Sequence, residues 1–138
     1  MKLDIGCGRN KREGCVGIDI TKDSDADIIA SALNLPIKDN VVDEINCSHL
    51  VEHLYPEEAQ RFFNEICRVL KEGGKASLKI DRDWTRRRLL SKDPTHKYRY
   101  NKREIESRVM SFKDREVRNE IYLFGHSIRN KIFVELRR

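Results

Sequence analysis

Three short stretches of the chain carry apolar residues at every second position. Lys2–Ile5 sets Leu3 and Ile5 against Lys2 and Asp4. Cys15–Ile20 sets Val16, Ile18 and Ile20 against Cys15, Gly17 and Asp19, and Lys75–Ile80 sets Ala76, Leu78 and Ile80 against Lys75, Ser77 and Lys79. With Asp27–Ala30 and Val41–Cys47, these read as β-strands bounded by glycine and turn residues. A different period appears at Ala59, Phe62, Phe63, Ile66, Val69 and Leu70, whose spacings of three and four predict an amphipathic helix. Pro56 opens that helix at its first position, and Gly73 and Gly74 are expected to close it, with Lys71 in the last turn. Pro36–Asn40 predicts a turn and His49–Leu54 a helical turn. Asn101 and Glu104 form a capping-box pattern for a helix over Lys102–Met110. Arg115–Phe124 and Lys131–Arg137 read as an antiparallel pair around Gly125 and His126. This order predicts an α/β fold: a mainly parallel sheet with an antiparallel C-terminal edge pair.

The alternation carries a second implication. Parallel strands covered on both sides are usually apolar on both faces, whereas these strands have one polar face. The connections 6–14 and 21–26 are too short for full helices, and right-handed crossovers would place both missing helices on the same side. Helices are therefore expected on one face only. The bare face is expected to meet water, a second copy of the chain or a partner protein.

The 138 residues fit one domain, 1–138, and no apolar run approaches a membrane span. No secretory signal pattern opens the chain, and the four cysteines lack metal-type or disulfide-framework spacing, so reduced thiols, a cytoplasmic location and no metal are expected. Charge divides the chain. Residues 1–81 carry a net −4 and residues 82–138 a net +9. The second half is thus expected to face something acidic, such as nucleic acid or another anionic substrate, or to form a solvated, ion-paired surface.

The chemistry-bearing motif is Leu3-Asp4-Ile5-Gly6-Cys7-Gly8, a strand running into a glycine turn where backbone can approach a ligand closely. A dinucleotide fingerprint would need a third glycine where Lys11 stands, and no G-K-[ST] phosphate loop is present. The second strand ends in Gly17-Ile18-Asp19-Ile20, and a carboxylate there can accept both hydroxyls of a ribose. Loop and carboxylate together suggest a nucleoside ligand without a pyrophosphate.

Taken with LNLPIKDNVVDEINCSHLVEHL and EICRVLKEGGKASLKI, the stretch LDIGCGRNKREGCVGIDI resembles class I S-adenosylmethionine-dependent methyltransferases, closest to the small type 11 branch. The resemblance keeps order and spacing over residues 3–80. It implies a reduced Rossmann-like methyltransferase fold, with residues 1–81 as a cofactor-binding half and 82–138 as a basic substrate-side half. S-adenosylmethionine is the implied cofactor. Asp4 matches the acidic residue of the first motif, and Gly6, Cys7 and Gly8 match the backbone cradle for the methionine part. Asp19, followed by Ile20, matches the ribose acid. Ser31, Ala32 and Leu33 stand at the adenine-contacting segment, with Ser31 replacing the usual Asp. Cys47, Ser48 and His49 sit at the tip of the fourth strand, against the cofactor.

The acceptor side is expected to gather residues after strands four and five: His49, His53, Asp81, Trp84 and His96, with His53, Asp81 and His96 as catalytic candidates. His49 and His53 are four apart and would share a helix face. The sequence starts its first strand at Lys2, which predicts an open site without an N-terminal lid. A basic flank (Arg82, Arg86, Arg87, Arg88, Lys92, Lys97, Arg99), with Tyr98 and Tyr100 interleaved for base stacking, suits a large anionic acceptor such as RNA or a phosphorylated glycan. The alternative function is a cofactor-binding but inactive module that docks on a catalytic partner or RNA.

Overall fold

A computed structural model of the chain describes residues 1–82, 93–124 and 127–138, with the backbone alone at 122–124 and 127–129. Four strands come first: β1 (Lys2–Ile5), β2 (Val16–Asp19), β3 (Ile28–Ile29) and β4 (Val42–Ser48). A 3₁₀ turn (Val51–His53) and α1 (Pro56–Val69) lead into β5 (Leu70–Arg82). Then follow α2 (Lys102–Arg108), β6 (Asp114–Phe124) and β7 (Ser127–Arg137). The strands form one seven-stranded sheet in the order β3-β2-β1-β4-β5-β7-β6. All neighbours are parallel except β7, which runs antiparallel to both β5 and β6. Strand order reverses between β1 and β4, and in such sheets ligands collect at the strand ends beside the reversal. Trp84, Arg86, Arg87, Arg88 and Lys92 lie outside the described residues, as do Gly125 and His126.

The helix α1 forms as its pattern dictates. Its apolar stripe, Ala59, Phe62, Phe63, Ile66 and Val69, is fully buried. It shares one apolar cluster with Leu3, Ile45, Ala76, Leu78, Ile132 and Val134 of the sheet. Pro56 stands at the start, and the Glu58 carboxylate accepts the Tyr55 N–H at 2.8 Å. Its end departs from expectation. The chain leaves the helix at Leu70, not at Gly73, and pairs at once with Val42. Leu70 is buried whereas Lys71 and Glu72 are exposed, so one more helical turn would have traded a core side chain for charged ones. The carbonyls of Arg68 and Val69 are capped by the Asn40 and Val41 amides, at 3.1 and 3.0 Å, rather than by a glycine.

Arg68 ties this helix end to the loop before β4. Its guanidinium donates to the Leu35 and Ile37 carbonyls at 3.0 and 2.8 Å and to the carboxylates of Glu65 and Asp39. The Arg68 bonds hold the Glu65 carboxyl below its usual range. Arg68→Ala strands both carbonyls and is expected to cost about 1–3 kcal/mol in a urea titration. A carboxyl depressed in the fold gives stability that is present above its unfolded pKa and lost as pH falls through its folded one. The variant should therefore lose part of the acid-side fall in stability that the parent shows.

The opposite sheet face is polar and carries no described helix. Register places Lys2, Glu44, Lys75 and Arg137 in one row across it, and Asn46, Ser77 and Glu135 in the next. The side chains satisfy one another: Lys2–Glu44 at 2.8 Å, the Ser77 hydroxyl donating to Glu135 at 2.6 Å, and Lys79 over the Phe133 ring at 5.8 Å. At β1 the following loop folds over this face, where the Arg12 amide donates to the buried Asp4 carboxylate at 2.8 Å, and at β2 the Lys11 side chain lies against Gly17.

Candidate functional site

The loop after β1 turns sharply at Gly6, whose φ of 70° favours glycine. A Cβ there would meet Leu50 Cδ1 at 2.5 Å, so the glycine also lets Leu50 close against the loop. The loop amides are committed inside the protein. Gly6 and Cys7 both donate to the Ile18 carbonyl, at 2.8 and 3.4 Å, and Gly8 donates to Asp19 Oδ2 at 2.9 Å. Asp19 Oδ1 accepts from the Thr21 amide at 2.8 Å. The expected row of main-chain donors is thus turned toward β2 in this structure. What the loop presents to a ligand is a Cβ-free surface beside a carboxylate fixed from both sides.

Beside this loop lies a cavity of about 520 Å³. Of the residues expected to hold a cofactor, Gly6, Asp19, Ile20, Ser31, Ala32, Leu33 and His49 line it. Asp4, Cys7, Gly8 and Ser48 do not. Asp4 holds the loop through Arg12, Gly8 holds Asp19, and Cys7 packs beneath the turn with its thiol pushed up by burial and by the Asp19 and Asp4 charges. Ser31 keeps the next segment in shape, its hydroxyl accepting the Leu33 amide at 3.2 Å. Cys47 is buried, so it stands behind the wall rather than on it.

Across the cavity the structure gathers His49, His53, Asp81 and His96 around a residue absent from the expected set, Glu52. This carboxylate is 1% exposed. Its Oε1 accepts from the Asp81 amide at 3.1 Å and lies 3.2 Å from His49 Nδ1. Its own backbone carbonyl accepts from the Lys97 and Tyr98 amides at 2.9 and 3.2 Å, which fastens the segment after residue 93 to the 3₁₀ turn. His49 and His53 do not share a face. His49 takes a left-handed φ of 59° and the turn is 3₁₀, so the three-residue period brings Glu52 under His49. His53 instead meets His96, ring centroids 4.8 Å apart, and its Nδ1 lies 3.1 Å from the Thr95 carbonyl. His53, Thr95 and Lys97 reach the cavity lining, together with Leu50, Leu54 and Glu58. The clue to Glu52 was available: an acidic residue set between Val51 and Leu54, three after one histidine and beside another.

The tyrosine pair has a different role from the one expected. Tyr100 is 1% exposed, donates its hydroxyl to the Leu54 carbonyl at 2.8 Å and has Arg108 over its ring. Tyr98 donates to Glu104 at 2.7 Å and leans on Tyr100. Both anchor α2 to the turn before α1, so Tyr100 cannot stack on a base. Among the described residues all four cysteines are free thiols, and no helix is long and apolar enough to cross a membrane.

Comparison with known proteins agrees with this geometry. No curated protein matches the sequence. A methyltransferase of Archaeoglobus fulgidus described as SAM-dependent superposes with a TM-score of 0.79 at 19% identity, over 99% of this chain and 85% of that one. Phosphoethanolamine N-methyltransferase 2 of Haemonchus contortus, solved with phosphomonomethylethanolamine and S-adenosylhomocysteine, gives 0.79 at 16% identity; this chain covers 48% of its length. A SAM-dependent methyltransferase of Thermotoga maritima gives 0.76 at 15% identity, over 99% of this chain and 81% of that one. Residues 3–78, more than half of the chain, match the family model described as a methyltransferase domain. The chain belongs to that family, the S-adenosylmethionine-dependent methyltransferases of the type 11 branch.

Proposed function

We propose that this chain catalyses transfer of the methyl group of S-adenosylmethionine to an anionic acceptor that docks over the rim formed by His53, Thr95 and Lys97. The observation that carries this reading is the single cavity that joins Asp19 and the 31–33 segment to that rim. Its volume and its fixed carboxylate fit an adenosyl group. The bound cofactor supplies an electrophilic methyl carbon: the acceptor's electron pair forms the new bond, the carbon–sulfur bond breaks, and its electrons remain on sulfur.

The protein's work is mainly positioning. Each Asp19 oxygen keeps lone-pair capacity beyond its backbone donor, enough for the two ribose hydroxyls. Ile20, with its side chain exposed beside the cavity, and Leu33 offer apolar surface to a base. Leu50, closed against Gly6, walls the opposite side. On the acceptor side, His53, Asp81 and His96 are the catalytic candidates. Lys97 stands on the rim 3.9 Å from Glu58, a solvent-screened pair of small worth that an anion can outcompete. The net +9 of residues 82–138 favours an acceptor carrying phosphate or carboxylate groups, the class to which the ligand of the Haemonchus relative belongs.

Incubating the chain with methyl-labelled cofactor and a cell extract is expected to yield a labelled acceptor that binds anion-exchange resin. Tight binding of S-adenosylhomocysteine with no labelled product would overturn the assignment. Changing Arg86, Arg87 and Arg88 together to Ala is expected to raise the acceptor KM several-fold and leave S-adenosylhomocysteine affinity unchanged, as read by calorimetry.

A further inference from the structure

We propose that Glu52, His53 and His96 bind a divalent transition-metal ion at the acceptor end of the cavity. One carboxylate oxygen of Glu52 and one ring nitrogen from each histidine lie within 4.8 Å of one another. Three ligands at about 2.1 Å from a shared ion stand up to roughly 4 Å apart, so small side-chain rotations complete the geometry.

Three further observations point to a cation rather than to a structural cluster. Glu52 is buried, and its Oε2 has no hydrogen-bond partner. An orphaned carboxylate oxygen in the interior is costly unless a positive group answers it. The two imidazoles are already set for coordination. His53 Nδ1 faces the Thr95 carbonyl at 3.1 Å and the Thr95 hydroxyl oxygen at 3.0 Å; the carbonyl can only accept and the hydroxyl donates to Asp93, an arrangement that suits Nδ1 as the donor and leaves the lone pair on Nε2. Nε2 of His96 faces Asp93 Oδ2 at 3.4 Å, which leaves Nδ1 as the free lone pair. Ligating histidines habitually bond a carbonyl or carboxylate through the other ring nitrogen in this way. Lastly, the set is preassembled: Thr95 also bonds Asp93, and the Lys97 and Tyr98 amides pin this segment to Glu52.

Two imidazoles and one carboxylate favour zinc, iron(II), cobalt or manganese over magnesium or calcium, which prefer all-oxygen sites. The alternative grouping of His49, Glu52 and Asp81 is less suited, because the Lys131 ammonium lies 3.3 Å from His49 Nε2. Three protein ligands leave positions open, and His53 and Thr95 border the cavity, so those positions can take an oxygen of the acceptor. That last consequence rests on the methyl-transfer reading; the ion site itself does not.

Titrating Co²⁺ into the untagged, chelator-treated full chain is expected to give one-to-one binding with visible d–d absorption and no thiolate charge-transfer band. His53→Ala, His96→Ala and Glu52→Gln are each expected to weaken that binding tenfold or more. A thermal melt followed by circular dichroism, run in parallel, certifies that each variant is folded. Three results would overturn the proposal: no cobalt spectrum from a chain that binds S-adenosylhomocysteine, a thiolate band that survives the histidine changes, or binding of Mg²⁺ or Ca²⁺ alone. Cobalt binding as described, in a chain that transfers no methyl group, would uphold the ion site and sink only the enzymatic reading.

Discussion

Asp19→Ala is expected to weaken S-adenosylhomocysteine binding by about 1–3 kcal/mol, roughly five- to 150-fold, in a calorimetric titration. The size follows from two separable duties of one carboxylate. Toward the ligand, it is the acceptor placed to take two ribose hydroxyls, and truncation leaves them without their charged partner. Toward the protein, it accepts the Gly8 amide at 2.9 Å and the Thr21 amide at 2.8 Å, so it also sets the shape of both loops. Asp19→Asn distinguishes the duties. The amide keeps one acceptor oxygen but turns donors toward one loop amide and one hydroxyl, so the affinity loss should approach that of Ala while thermal stability falls less. If Asp19→Ala binds as tightly as the parent, the ribose assignment is wrong and the cavity holds its ligand elsewhere.

The parts of the molecule that were legible in the sequence are those governed by local periodicity. The apolar stripe from Ala59 to Val69 and the alternation in Lys75–Ile80 each state their own burial, and Asn101 with Glu104 states its own cap, confirmed by the Glu104 amide donating to Asn101 at 3.0 Å. The bare polar face followed from the same alternation combined with loop length. What stayed hidden depends on residues distant in sequence. The end of α1 is decided by Asn40 and Val41, some thirty positions upstream. The burial of Tyr100 depends on the Leu54 carbonyl, and the pairing of His53 with His96 spans a long connection. The direction of the loop amides depends on a partner at a distance in the same way: the Gly8 amide meets the Asp19 carboxylate at the end of β2. His49 adds a local surprise, since nothing in H-L-V-E-H-L announces a positive φ.

Gly6 is the position where a single methyl group should do most harm. Its φ of 70° costs an alanine about 1–2 kcal/mol, and the added Cβ would stand 2.5 Å from Leu50 Cδ1. Relieving that overlap means displacing half-buried Leu50, whose Cβ would also stand 3.2 Å from the new methyl carbon, at a further cost of roughly 1–3 kcal/mol. Gly6→Ala is therefore expected to lower stability by about 2–5 kcal/mol in urea and to abolish detectable cofactor binding. The two contributions can be parted by a second change. Leu50→Ala makes room for the new methyl group but leaves the backbone strain, so the double variant should recover about half of the loss relative to Leu50→Ala alone. Full recovery would mean that the turn tolerates an alanine and that the glycine serves only packing. No recovery would mean that the left-handed backbone alone demands it, and that Leu50 meets Gly6 as a consequence of the turn rather than as a reason for it.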